Sequence, residues 1–152
     1  MMSLLIVQVV LSFIATAAFG ILFNIPGRPL VQGGVVGMIG WMVYFVLYTY
    51  FVGAFAATFV AAFAIAIISQ FFAKFYKTPV IVYSVSGIIP LVPGGLSYDV
   101  MHHFVENSYN MAIELASKAF ILSGAIAMGL IFAEVFHQVI KKSSSAVKVL
   151  KK

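Results

Sequence analysis

The chain has 152 residues, of which 63% are hydrophobic and only 9% charged, and its mean hydropathy is +1.12. This composition excludes an ordinary soluble domain, which carries about 25% charged residues and has one small core to fill. The net charge is +5, but the lysines gather at the C-terminal end and no nucleic-acid-binding module is visible, so no nucleic-acid partner is expected.

A first membrane span is predicted over residues 1–23, because about 20 apolar residues in a helix cross about 30 Å of hydrocarbon. No basic residue precedes this run, so it lacks the start of a signal peptide and is expected to stay in the protein. It ends at 24–29, where two prolines and a glycine break the helix. The polar residues of this span, spaced four apart, are interpreted as interhelical hydrogen-bonding groups rather than a polar pathway: Gln8, Ser12 and Thr16.

Residues 30–73 contain no charged side chain. A straight helix of that length would extend about 66 Å, so the segment is predicted to fold back once, as spans two and three. The turn is placed at 49–53, beside tyrosines typical of a membrane interface. Small residues spaced four apart predict close helix packing in these spans: Gly33 and Gly37, then Gly53, Ala57 and Ala61.

A fourth apolar run, residues 78–96, follows Lys74 and Lys77. It contains two prolines, which lack an amide hydrogen, followed by two glycines, so an interrupted helix is predicted. Unwound backbone at membrane depth is tolerated where it is buried in protein or lines a wet cavity, as in transporter sites. A simple proline kink is the equally weighted alternative.

The most polar stretch, residues 97–117, is expected to lie outside the membrane before a fifth span at 118–140. Asp99, His102 or His103, and Glu106 would share one helix face. A solvated surface helix is favoured over a metal site or proton relay, because no known metal-binding motif is present, and no metal site is expected. Glu114 and Lys118 have the spacing of a simple helix ion pair.

Glu134 lies inside the fifth span, and His137 is close to it on an overlapping face. A carboxylate within a membrane predicts a functional role, here proton coupling or contact with a substrate amine, and His137 and Asp99 are further candidates for proton coupling. The alternative is a carboxylate near the interface that pairs with His137 or Lys141.

These segments predict an all-α integral membrane protein of about five transmembrane helices, with the fourth interrupted by a Pro/Gly segment. Residues 1–140 would form a single transmembrane domain and residues 141–152 a basic cytoplasmic tail. Five spans place Arg28, Lys74, Lys77 and the tail on one side, and cytoplasmic loops are enriched in such residues. The N-terminus is therefore expected outside and the C-terminus in the cytoplasm.

Several chemistries find no support in the sequence. There is no cysteine, hence neither a disulfide nor a thiolate metal site. There is no phosphate-binding GxxxxGK loop, nucleophile elbow or zinc-hydrolase motif either. No enzyme activity and no cofactor are expected, and energy for transport would come from a gradient or a partner.

Two segments resemble the short subunit of the two-component threonine/serine exporter (ThrE) family: FNIPGR at 23–28, and IPLVPG at 89–94 followed by Tyr98 and Met101. The resemblance implies a partner, a longer membrane subunit, in the bacterial inner membrane, and proton-coupled export of threonine or serine. Some relatives are associated with dicarboxylate export instead. A homo-oligomer, and a scaffold subunit that does not itself transport, are kept as alternatives. The expected substrate pathway comprises Asn24 and Arg28 at the inner mouth and, at the helix break, Pro90, Pro93, Gly94, Gly95 and Tyr98.

Overall fold

The computed structural model describes residues 2–25, 27–50 and 53–150, with side chains from residue 6 to residue 142 in the same ranges. The described chain is entirely helical, which confirms the predicted fold class. Its elements, in order, are α1 (Met2–Leu22), α2 (Gly27–Tyr50), α3 (Ala54–Tyr76), α4 (Val80–Ile88), a 3₁₀ turn (Ile89–Leu91), α5 (Gly94–Val105) and α6 (Tyr109–Leu150).

Three helical segments are long and apolar enough to cross a membrane: Gly27–Tyr50, Ala54–Tyr76 and Tyr109–Lys142. Val80–Leu91 and Gly94–Val105 form a bent pair, with an angle of 50° at the break, that qualifies as a fourth span when taken together. The apolar part of α1, Ile6–Leu22, is shorter. The protein is therefore a multi-pass membrane protein, and the predicted interruption of the fourth span is confirmed.

The polar stretch differs from the prediction. The fourth run does not end at 96, because α5 continues to Val105, and α6 begins at Tyr109, well before Lys118. Between them Asn107 adopts a left-handed conformation with φ 60°. The Ser108 amide donates to the His103 carbonyl at 2.9 Å, a bond that closes the end of a helix. Polar side chains therefore did not stop the helix, and α5 and α6 form a tight helical hairpin.

Helices α1 to α4 pack around one small core, and α6 joins them along α3. Three of the seven side chains of this core are alanines, which let the helix backbones approach closely. The core consists of Val36, Ala61, Ala62, Ile65, Ala73, Tyr83 and Leu91. At Gly129 of α6, a Cβ atom would lie 2.7 Å from the Phe59 carbonyl oxygen of α3. Even alanine there would push the two helices apart, since a backbone neighbour cannot rotate away.

The predicted small-residue packing is confirmed for Gly33 and Gly37, both buried. A Cβ on Gly33 would lie 2.7 Å from Ser86 Oγ, and one on Gly37 would overlap Thr16. Ala57 and Ala61 of α3 are buried, as predicted. Gly53, the residue before α3, is exposed and takes no part in this packing.

The polar residues of α1 bond in two ways. Gln8 accepts a hydrogen bond from the Trp41 indole of α2, as the interhelical interpretation predicted. Ser12 and Thr16 instead donate to carbonyls of their own helix, Val9 and Ser12, at 3.0 and 2.8 Å. Serine and threonine commonly satisfy their hydroxyls this way inside helices, so for these two the interhelical interpretation was wrong.

Two helix-ending turns lie at the same end of the bundle. Asn24, with φ 55°, follows α1, and Lys77, with φ 54°, follows α3. At this end, two hydrogen bonds connect α4 to α2 and to the turn after α3. Thr78 Oγ1 donates to Tyr83 Oη at 2.8 Å, and Tyr83 Oη donates to Gln32 Oε1 at 2.6 Å. Arg28, Lys74 and Lys77 consequently gather at one end, called the basic end below.

Candidate functional site

The break between α4 and α5 arises from its two prolines. In a continuous helix, the amides of residues 90 and 93 would bond to the carbonyls of Ser86 and Ile89. Proline has no amide hydrogen, so the chain tightens to a 3₁₀ turn, in which the Ile89 amide bonds to the Ser86 carbonyl and the Val92 amide to the Ile89 carbonyl. Both carbonyls that the prolines would leave unpaired are thereby satisfied.

Pro93 then redirects the chain. Its φ of −75° and ψ of 54° are those of an inverse γ-turn. The matching hydrogen bond runs from the Gly94 amide to the Val92 carbonyl, at 2.7 Å. Ser97 donates to the Pro93 carbonyl through both its amide and its hydroxyl, each at 3.0 Å, and so starts α5. The bend is therefore built into the local sequence.

The break lies partway along the helix bundle. Val80–Leu91 rises about 18 Å at about 1.5 Å per residue, whereas the hydrocarbon is about 30 Å thick. α4 starts at the basic end, and its neighbours confirm that it rises through the bundle, since Ser86 faces Gly33 and a Cβ on Gly87 would lie 2.8 Å from Val36 Cγ1. The backbone thus changes direction partway along the bundle, after about 18 Å of helix, rather than at the basic end.

The start of α5 is open. Cβ atoms built on Gly94 and Gly95 would meet nothing within 4 Å, and Tyr98 is 69% exposed. None of the twelve residues of α5, all described by the structure, is buried, because α5 leaves the bundle and packs against the first half of α6. No side chain caps this described helix start. First-turn amides of a helix lack helical acceptors, so this start can accept a negatively charged or polar group.

A second polar site lies between α3, α4 and α6, nearer the basic end. Gln70 Nε2 donates to Glu134 Oε2 at 3.1 Å, and Gln138 Nε2 donates to Glu134 Oε1 at 3.0 Å. These bonds hold both oxygens of the carboxylate in place. The surrounding cavity has a volume of about 290 Å³, and its lining contains three polar residues among apolar ones: Gln70, Ser84 and Glu134, with Ala66, Val80, Leu130 and Ile131.

The structure does not gather the predicted residues into one site. Asn24 is exposed in the turn after α1, and Arg28 is exposed in the first turn of α2. Pro90, Pro93, Gly94, Gly95 and Tyr98 belong to the break. Glu134 belongs to the second site, where Gln70 and Gln138 donate to its carboxylate.

The remaining ionisable residues lie elsewhere. Asp99 is exposed on α5, and His137 is half-buried on α6. The predicted ion pair between Glu114 and Lys118 is present, with Nζ and Oε1 2.6 Å apart.

Sequence reasoning missed Gln70 and Ser84. Gln70 is the last strongly polar residue of α3 before the lysine that closes it, a signal that was available. Its partner could not be inferred, because only the parallel packing of α3 and α6 brings residues 64 positions apart into contact. Ser84 has no such signal, since a serine in a helix usually bonds to its own backbone, as Ser84 does to the Val80 carbonyl at 3.2 Å.

Comparison with known proteins identifies the family. Residues 8–136 match the family model described as Threonine/Serine exporter, ThrE. No curated protein and no solved structure matches the chain. The matched range includes the turn after α1, the helix break and Glu134. It leaves out residues 1–7 and residues 137–152. The chain therefore belongs to the threonine/serine exporter (ThrE) family.

Proposed function

We propose that this chain is the short subunit of a two-component, proton-coupled exporter of threonine and serine in the bacterial inner membrane. Family membership implies threonine/serine export and makes the protein part of a transporter rather than an enzyme. The observation that carries the proposal is the open helix break, partway along the bundle, within a chain of this family.

The break is proposed to bind the carboxylate of the amino acid. The positive end of the α5 dipole and the first-turn amides that follow Gly94, whose own amide bonds to the Val92 carbonyl, favour a negative group. Gly94 and Gly95 present no side chain that would keep the substrate away. Broken helices serve transporters in this way. Tyr98, one turn into α5, would lie beside the bound substrate, while Asn24 and Arg28 would form the inner mouth.

Glu134 is proposed to couple export to protons. A carboxylate within the membrane is costly to leave charged, and its two glutamine donors stabilise the charged form. The adjoining cavity gives it space for water or for a substrate amine. Its position near the basic end would expose it to the cytoplasmic side.

The requirement for a partner follows from the open break. A substrate path needs protein on all sides, yet the start of α5 faces open space in a single chain. A longer subunit of the same family is proposed to close it. A second copy of this chain is the alternative, and a scaffold that leaves the pathway to the partner is a further one.

The test is efflux of radiolabelled threonine from cells that are fed a threonine dipeptide. A strain lacking both subunits would carry this chain alone, the longer subunit alone, or both. We expect efflux above background only with both. Equal efflux from the longer subunit alone would reduce this chain to a scaffold, and no difference among the strains would reject threonine as the cargo.

The orientation gives a separate prediction. The basic end is proposed to face the cytoplasm, with the α5–α6 turn outside. Because the chain has no cysteine, a single introduced cysteine is the only reactive thiol. In intact cells, a membrane-impermeant maleimide should label Asn107→Cys but not Tyr76→Cys. Both should react after permeabilisation, which controls for protein level, and the reverse pattern in intact cells would overturn the proposed topology.

A further inference from the structure

The last turn of α5 brings three potential metal ligands together at the end of the molecule opposite the basic end. Among the described residues, the ligand atoms of His102, His103 and Glu106 all lie within 4.8 Å of one another. Both imidazoles turn their Nδ1 atoms towards the same carboxylate oxygen, Glu106 Oε2, at 3.4 Å from His102 and 3.7 Å from His103. We infer that this cluster is a binding site for a divalent transition-metal ion of the zinc type.

The distances fit shared coordination better than direct bonding. Hydrogen bonds between nitrogen and oxygen are about 2.7–3.2 Å long, shorter than either separation. Two ligands of a tetrahedral zinc ion, each about 2.0–2.1 Å from the metal, lie about 3.3–3.4 Å apart. A metal ion placed between the three atoms would therefore need only small side-chain movements.

His103 gives an independent indication. Its Nδ1 atom is shielded from solvent and has no hydrogen-bond partner in the described part of the chain. Such an atom normally finds a partner, because removing a polar atom from water without a replacement is costly. A metal ion bonded to Nδ1 would satisfy it.

The donor set selects the ion. Two imidazole nitrogens and one carboxylate oxygen suit zinc, and also nickel, cobalt or copper, better than magnesium or calcium, which prefer oxygen ligands. His102 and Glu106 are about half exposed, so the remaining coordination positions are open to water. Spacings of three and four residues place the three ligands on one helix face, where a metal would cross-link the final turn of α5 beside its tight connection to α6.

The test is zinc binding by the purified full-length protein in detergent, without a polyhistidine tag. Isothermal titration with zinc chloride should give one ion per chain. His102→Ala, His103→Ala and Glu106→Gln should each weaken the affinity at least about tenfold. His137→Ala, which removes the third histidine of the chain, is the matched control and should leave the affinity unchanged.

A second readout separates coordination from loss of fold. Cobalt chloride should produce visible absorption bands in the wild type that disappear in His103→Asn, a variant of similar side-chain size, while circular dichroism shows unchanged helix content. The inference is overturned if the wild type binds no zinc, or if the three ligand variants bind zinc as tightly as the His137→Ala control. The cluster would then be only an exposed histidine–glutamate ion pair.

Discussion

Replacing Glu134 by glutamine is expected to lower proton-driven threonine efflux at least about tenfold. Glutamine keeps the size of the side chain but cannot ionise, so it cannot carry a proton. It also presents a single acceptor oxygen where the carboxylate accepts from both Gln70 and Gln138. A hydrogen bond to a charged group contributes about 1.5–3 kcal/mol, which corresponds to about tenfold or more in binding.

The measurement is efflux from cells that carry the longer subunit and either wild type or Glu134→Gln, at matched protein levels. Glu114→Gln is the control, since it removes an acidic residue from the same helix whose ion pair with Lys118 lies on the exposed surface. Full efflux by Glu134→Gln would remove this carboxylate from the mechanism.

Exchange of labelled for unlabelled threonine across vesicles without a proton gradient distinguishes two roles for the carboxylate. If Glu134 only couples transport to protons, Glu134→Gln should lose gradient-driven efflux but keep exchange. If Glu134 binds the substrate amine, both should fall together. The first outcome supports the proposed role, and the second would assign Glu134 to substrate binding instead.

The helix break was predictable from the sequence because its cause is local. A missing amide hydrogen at Pro90 and Pro93 acts whatever surrounds it, and the 3₁₀ turn and γ-turn are the backbone's response. The number of apolar segments was predictable for a similar reason, since bilayer thickness sets the length of each helix.

The α5–α6 hairpin was not predicted, because polarity was used as a sign that the membrane span ends at 96, with a separate surface helix after it. His102, His103 and Glu106 are compatible with a helix, and the chain turns only at Asn107, a residue type that tolerates left-handed backbone. The earlier hypothesis of a merely solvated face also missed how closely the two imidazoles approach Glu106, which depends on side-chain rotamers.

One partner of Glu134, Gln70 of α3, was beyond sequence reasoning. Local spacing along α6 places His137, Gln138 and Lys141 close to Glu134. The structure pairs it with Gln138 on its own helix and with Gln70 on α3. The second contact depends on Gly129, which allows α6 to approach the α3 backbone. Long-range contacts of this kind are set by packing that a single sequence does not reveal.

Gly94→Leu is expected to abolish threonine efflux without lowering the amount of protein in the membrane. The added side chain would enter open space, since a Cβ at this position meets nothing within 4 Å, and the described backbone there has no positive φ. Folding should therefore be little affected. If the substrate carboxylate binds at the start of α5, however, leucine would occupy that place, and we expect a reduction of at least about tenfold, equivalent to about 1.4 kcal/mol or more.

Gly124→Leu is the matched control for this prediction. Gly124 is also helical and exposed, and a Cβ there likewise meets nothing within 4 Å, but it belongs to α6 and not to the break. Both variants add the same side chain to a membrane-facing helix, so they share any general effect on insertion. Loss of efflux in Gly94→Leu alone would support substrate passage at the break. Loss in both would point to a closed interface along the α5–α6 hairpin, and normal efflux in Gly94→Leu would remove the break from the pathway.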